Sequence, residues 1–224
     1  MIDQRVTIRW LGTQDYQTTW DAMRAFTDHR HDQTIDEIWL LEHPPVFTQG
    51  QSGKAAHLIN PGDIPVIQTD RGGQVTYHGP GQLMIYLLVD VRRKQLTVRK
   101  LVTCLEQSII ALLAQFNVPA FAKKEAPGIY ISSNEKIGSI GLRIRRGCTY
   151  HGIAFNVTMD LSPFSRINPC GFSTLKMTHL AAFCDAPLET LSIAKQYVPI
   201  LCTHLAFSHP FFTLSAQKIN QVSL

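Results

Sequence analysis

At 224 residues the chain is long enough to fill one hydrophobic core, and a single domain over 1–224 is expected. Hydrophobic residues make up 45% and charged residues 17%, which excludes a disordered chain, and no apolar run reaches the roughly 20 residues of a membrane span. The net charge of +4 is mild and no basic module accompanies it, which excludes nucleic acid as a partner.

The start, Met1-Ile2-Asp3-Gln4-Arg5, lacks the basic and apolar regions of a leader, so a cytoplasmic protein is expected. The five cysteines are widely spaced and form no CxxC pair, so neither a disulfide framework nor a metal site is expected. Residues 16–29 read as a helix with Tyr16, Trp20, Met23 and Phe26 on one side. Ile35 to Leu41 reads as a strand closed by His43-Pro44-Pro45. Residues 50–82 are rich in glycine and proline, and a loop region of that length in a compact domain usually has a function. Leu83 to Val91 reads as a buried strand.

Thr97 caps a helix running to about Phe116, with Leu101, Leu105, Ile109 and Leu112 in register. Gly128–Ser132 and Lys136–Ile144 form a hairpin turning at Ser133-Asn134. Thr149 to Met159 is a further strand. Leu188 to Phe207 reads as a helix kinked at Pro199. Strands and helices mix without strict alternation, which predicts an α+β domain with a mixed or antiparallel sheet packed by helices.

Four segments carry chemistry. In Arg71-Gly72-Gly73-Gln74-Val75-Thr76-Tyr77-His78, the glycines let backbone approach a ligand. Arg71 suits a carboxylate or phosphate, and Tyr77 and His78 add hydrogen-bonding groups. In Lys136-Ile137-Gly138-Ser139-Ile140-Gly141, alternation places Lys136 with Gly138 and Ile140 on one face and Ile137 with Ser139 and Gly141 on the other. His151-Gly152-Ile153 opens a strand, where a histidine is as compatible with a satisfied strand end as with a ligand. Cys170 sits in a Pro-Cys-Gly turn outside any apolar periodicity, whereas Cys104 and Cys202 fall in helices as small hydrophobes. Cys170 is therefore the candidate nucleophile. A thiol needs a nearby cation or base at neutral pH, and Lys136, His78 and His151 are all available.

Taken in order, RGGQVTYHGPGQ, KIGSIG, HGIAFNV and NPCG closely resemble the lipoyl(octanoyl) transferases, with the similarity running from about Ile35 to Phe172. The resemblance implies the fold of the biotin and lipoate protein ligases. It implies that Cys170 forms an acyl thioester, that Lys136 activates it, and that residues 71–78, 139–141 and 151–153 line the acyl pocket. It implies transfer of an octanoyl or lipoyl group from acyl carrier protein to a lysine of lipoyl domains, those of 2-oxoacid dehydrogenases and the glycine cleavage H protein. No cofactor is implied, because forming an amide from a thioester is downhill. The alternative on the same fold is an ATP-dependent lipoate or biotin ligase, which needs no cysteine. A cysteine hydrolase or a cationic docking module accounts for fewer of the residues. The basic triplet Arg143, Arg145 and Arg146 is a candidate docking face for an acidic partner.

Overall fold

The computed structural model describes residues 5–172 and 174–214; Met1–Gln4, on which most of the leader reading rests, lie outside them. The described chain opens on a strand that hydropathy did not mark, β1 (Arg5–Thr13), followed by α1 (Tyr16–Asp28) and β2 (Asp36–Glu42). The glycine-rich region then contributes three short strands, β3 (Val46–Gln49), β4 (Val66–Gln68) and β5 (Val75–His78), before β6 (Gln82–Leu88). Next come α2 (Val98–Gln115), β7 (Phe121–Ala122), β8 (Gly128–Ser132), β9 (Glu135–Arg145) and β10 (Cys148–Asn156). The described chain ends with β11 (Lys176–Met177), α3 (Thr190–His204) and β12 (His209–Leu214).

The large sheet runs β12-β1-β2-β6-β10-β9-β8-β7, with β11 added beside β9. It is mixed: β1 pairs in parallel with β2 and β12, and the strands from β2 through β6, β10, β9 and β8 to β7 pair antiparallel. A second sheet, β4-β3-β5, is built from β3 just ahead of the segment read as loop and two strands within that segment. β5 is buried at all four residues despite its glycine-rich approach, so a strand short enough to look like a turn carries part of the core. The α+β class is the observed one.

The helices take their places by amphipathicity. Asp15 caps α1 by accepting the Thr18 N–H at 2.8 Å, and Met23 and Phe26 pack on Trp39, Tyr86 and Tyr150 on one face of the sheet. Thr97 caps α2, and Leu101, Leu105, Ile109 and Leu112 pack with α3 against Ile85, Ile129 and Ile153 on the other face. Pro199 lies inside α3, which the sheet and α2 hold in register on both sides of it. The hairpin β8–β9 turns at Ser133-Asn134 as its composition indicates, but its register slips.

Candidate active site

That slip aims the lysine. Ile129 pairs with Gly138 and Tyr130 with Lys136, so Ile137 is an extra residue in β9. A bulge reverses the alternation beyond it and re-aims a side chain. Ile137 joins the α2 core together with Ile140, while Lys136, Ser139 and Gly141 turn towards a cavity on the other side. The strict alternation expected for this strand, with Lys136 beside Ile140, is therefore corrected.

Lys136 is 2% exposed, and its Nζ donates to the Pro127 carbonyl at 3.1 Å. The same nitrogen lies 3.4 Å from Cys170 Sγ, joining residues 34 apart in sequence. Gly128 makes room for it. A β-carbon there would stand 2.3 Å from Lys136 Cε, and the residue has φ +142°, a conformation that favours glycine.

Cys170 is half-buried at the cavity edge with φ 56° and ψ 16°, in the left-handed region that side chains seldom enter. Its turn is over-determined. Gly171 donates to Asn168 O at 2.9 Å, Asn168 donates to His57 O at 2.9 Å, and Ile167 bridges to Leu58. Gly171 packs its bare α-carbon on the Gln74 amide, where a β-carbon would come within 2.5 Å of Nε2. The glycine-rich loop thus holds the turn that carries the thiol.

The cavity measures about 470 Å³, within the range of small-ligand sites. Of the residues expected to form a pocket, Arg71, Gly72, Gly73, Gln74, Val75, Thr76, His78, Ser139, Ile140, Gly141, His151, Gly152 and Ile153 border it, together with Lys136 and Cys170. Tyr77 does not. Alternation along β5 turns it into a separate cluster, with rings of Phe47 and Phe164 each 5.5 Å away. Ile153 borders the cavity while belonging to the opposite core. Sequence reasoning missed Tyr16, Met84, Tyr86, Ala154, Val98 and Phe172, which supply much of the remaining wall. Met84 and Tyr86 lie in a run buried on both faces, where hydropathy names no inward side.

Arg71 is a scaffold residue rather than a free clamp. Its guanidinium donates to Thr48 Oγ1, Thr48 O, Gly72 O and Gln74 O, all within the loop and β3. Thr48 Oγ1, holding bonds from Arg71, passes its own proton towards His78 Nε2 at 3.1 Å. The other ring nitrogen donates to Gln82 Oε1 at 2.7 Å, because the Gln82 amide nitrogen already donates to Asn156. Asn156 donates to Thr178 O, and Thr178 N–H donates to Lys136 O at 2.9 Å. Burial, with His43 and Arg71 nearby, holds His78 well below its ordinary pKa. His78 is thus a neutral link with both nitrogens engaged, and of the three groups offered beside the thiol it is Lys136 that reaches Cys170.

His151 has φ 58°, which swings its ring to the same side as Tyr150, and both reach Asp70. Burial pushes the Asp70 carboxyl up, but bonds from His151, Tyr150 and Trp20 together bring it to about 2. Burial lowers His151, partly offset by Asp70. Among the described residues no group of three or more potential ligands gathers as a metal site, and no helix is long and apolar enough to cross a membrane.

The fold is a mixed sheet with a largely apolar cavity, and at the cavity's edge a thiol lies against a buried lysine amine. Residues 15–201 match the lipoyl protein ligase A/B catalytic domain. An octanoyltransferase of Shewanella sp. (strain W3-18-1) is 58% identical over 209 residues, 93% of this chain and 95% of its own. One from Aeromonas salmonicida (strain A449) is 58% identical over 182 residues, 80% of this chain and 81% of its own. A lipoate-protein ligase A bound with ATP superposes with TM-score 0.74 at 13% identity, over 94% of this chain and 88% of that one. The biotin protein ligase of Aquifex aeolicus with biotin and ATP gives 0.55 at 12% identity, over 89% and 70%. At those identities the two structures speak for the fold. The chain belongs to the family of lipoyl protein ligase A/B catalytic domains. It is an acyltransferase of protein lipoylation.

Proposed function

We propose that this acyltransferase moves an octanoyl group from acyl carrier protein to a lysine of a lipoyl domain through a thioester on Cys170, in the cytoplasm. The observation that carries the reading is the 3.4 Å approach of Lys136 Nζ to Cys170 Sγ at the rim of an apolar cavity. The acceptors are the lipoyl domains of 2-oxoacid dehydrogenases and the glycine cleavage H protein.

In the first half-reaction the Cys170 thiolate attacks the carrier thioester, and the tetrahedral adduct collapses to octanoyl-cysteine. The carrier thiolate leaves and takes a proton from the Lys136 side or from solvent. In the second, the acceptor amine attacks the new thioester, the Cys170 sulfur leaves, and the amine's surplus proton passes to that sulfur or to Lys136. An ammonium in contact with sulfur stabilises the thiolate at both stages. The alkyl chain is held by Val75, Met84 and Ala154, which offer it a wall without charge. A ligase forming an acyl adenylate leaves the strained cysteine turn without a use.

The test is peptide mapping after incubation with octanoyl-carrier protein. One octanoyl adduct on Cys170 is expected, and full transfer by Cys170→Ala would refute the reading. Lys136→Arg separates two roles. It keeps the charge but holds its proton throughout the usable pH range, so the thiol should alkylate readily while octanoyl transfer falls.

A further inference from the structure

Lys136 is 2% exposed, so its ammonium has left bulk water and requires acceptors and a counter-charge. Its polar partners are the Pro127 carbonyl, the Cys170 sulfur and the Tyr130 hydroxyl, all neutral while Cys170 is a thiol, with the Tyr130 ring 5.1 Å away. Cys170 offers negative charge only as a thiolate. As a thiol, or as the thioester of the proposed cycle, it offers none.

One buried carboxylate approaches this end of the cavity from α2. Glu106 is 7% exposed, and its Oε1 accepts the Gly128 N–H at 3.0 Å. Gly128 follows Pro127, whose carbonyl holds the ammonium, and the Lys136 side chain lies across its bare α-carbon. A carboxylate in the middle of a helix, facing the sheet, is unfavourable unless a charge answers it. An amide oxygen would serve the Gly128 N–H alone, so the hydrogen bond does not account for a carboxylate.

We infer that Glu106 is a positioning residue for acyl transfer: it fixes the Pro127–Gly128 corner on which Lys136 rests and places a negative charge beside that amine throughout the cycle. The inference rests on the Cys170–Lys136 reading above. Lys136 acts on Glu106 from β9, Tyr130 faces both from β8, and Cys170 faces Lys136 from its turn with Arg71 acting on the sulfur from the loop. Glu125 is exposed at the rim of the same cavity. Burial raises the Glu106 carboxyl, while the Gly128 bond and Lys136 oppose the rise, so an attraction between the two charges is already present.

The test compares Glu106→Gln and Glu106→Asp. The readout is the pH profile of octanoyl transfer, with its acid limb and its alkaline limb. Removing a neighbouring anion makes the thiol ionise at lower pH and the ammonium deprotonate at lower pH. Both limbs therefore move the same way. Glu106→Gln should slide the whole profile, and the iodoacetamide profile of Cys170, to lower pH by roughly 0.5–1 unit. Its KM for the octanoyl-carrier donor should stay near the parent's. Glu106→Asp keeps the charge on a shorter stem, so its profile should stay in place while kcat falls. A purely structural role moves neither limb.

A Glu106→Gln profile superimposable on the parent's overturns the inference, as does an Asp profile that slides. The Asp variant decides if the Gln variant fails to fold. Cys170→Ala is run alongside. If it transfers octanoyl, the nucleophile reading itself fails. If it is inactive and Lys136→Ala moves the alkylation profile while Glu106→Gln does not, only the role of Glu106 falls.

Discussion

Gly128→Ala separates the placement of Lys136 from its chemistry. The added β-carbon would stand 2.3 Å from Lys136 Cε, 2.8 Å from its Nζ and 2.8 Å from the Gly138 carbonyl. The Gly138 oxygen is backbone within a strand, so the flexible lysine must give way. An alanine held in a conformation reserved for glycine costs about 1–3 kcal/mol, and in a domain of this size each kcal/mol lowers Tm by about 2–4 °C. A melting point lower by about 3–10 °C is expected. The activity loss should be larger than that instability explains, because a displacement of about 1 Å at a reacting group can lower a rate about 100-fold. Gly12→Ala is the control. It has φ +65°, yet its β-carbon would meet nothing within 4 Å, so it carries backbone strain without touching the site. Differential scanning calorimetry and steady-state octanoyl transfer on both variants check the argument. Gly128→Ala should lose roughly two orders of magnitude in kcat, and its Cys170 should be alkylated more slowly at neutral pH than the parent's. Gly12→Ala should melt lower and transfer normally. A Gly128→Ala enzyme with the parent's kcat and alkylation profile would refute the placement.

Three further outcomes follow from the same geometry. Tyr77→Phe should leave kcat and KM within about twofold of the parent, the ordinary range for a substitution remote from bound substrate; a large KM increase in a transfer assay would return Tyr77 to the cavity. His43 is buried and held down at about 4, so the unfolded chain binds its proton first as pH falls. Stability should therefore drop between pH about 6.5 and about 4 by up to roughly 3 kcal/mol, read from urea midpoints, and a flat response there would contradict a neutral buried His43. Arg145 pairs with Asp28 Oδ1 at 2.7 Å, Arg143 is half-buried beside Tyr150, and the exposed Arg146 reaches only the Asp28 carbonyl, which makes Arg146 the freest member of the proposed docking face. Arg146→Glu should raise KM for an acidic carrier protein several-fold at low salt and much less at high salt, where exposed charges are screened beyond about 3 Å; equal KM at low salt would remove this face from docking.

The pattern of periodicities carried the large elements well. α1 and α2 fall within a residue or two of their caps, because Asp15 and Thr97 are strong N-terminal signals followed by clean apolar stripes. β1 does alternate, with Val6 and Ile8 buried between Thr7 and Arg9, but over too few residues to stand out, and β12 at the rim of the sheet is marked as a strand only by its pairing with β1. β5 escaped because its four residues sit among turn formers, and its burial is set by β3, a partner 30 residues upstream of His78 at the Thr48 contact. Glu106 adjoins the apolar stripe of α2, a position that reads as solvated on a helical wheel. What buries it is the approach of Gly128 from another element, which no local window contains.

The candidate cysteine was legible and the placement of the lysine beside it only half so, for a physical reason. A thiol in a Pro-Cys-Gly turn stands out because it lies outside every apolar stripe that would make it an ordinary core residue. Lys136 sits in a strand whose alternation assigns it, on regular geometry, to the side of Ile140 and the α2 core. A lysine there would be either neutral or strongly destabilising. One inserted residue, Ile137, reverses that assignment, and nothing in the local sequence marks it except the weakness that Gly138 gives the strand. The bulge, Gly128 and the strained φ of Cys170 are three departures from regular backbone, and all three lie within reach of one nitrogen–sulfur contact. Regular structure would have been more stable at each position. Their coincidence at the thiol, with the rest of β9 and β10 regular but for His151, argues that the strain is retained for the ammonium's position and not for folding.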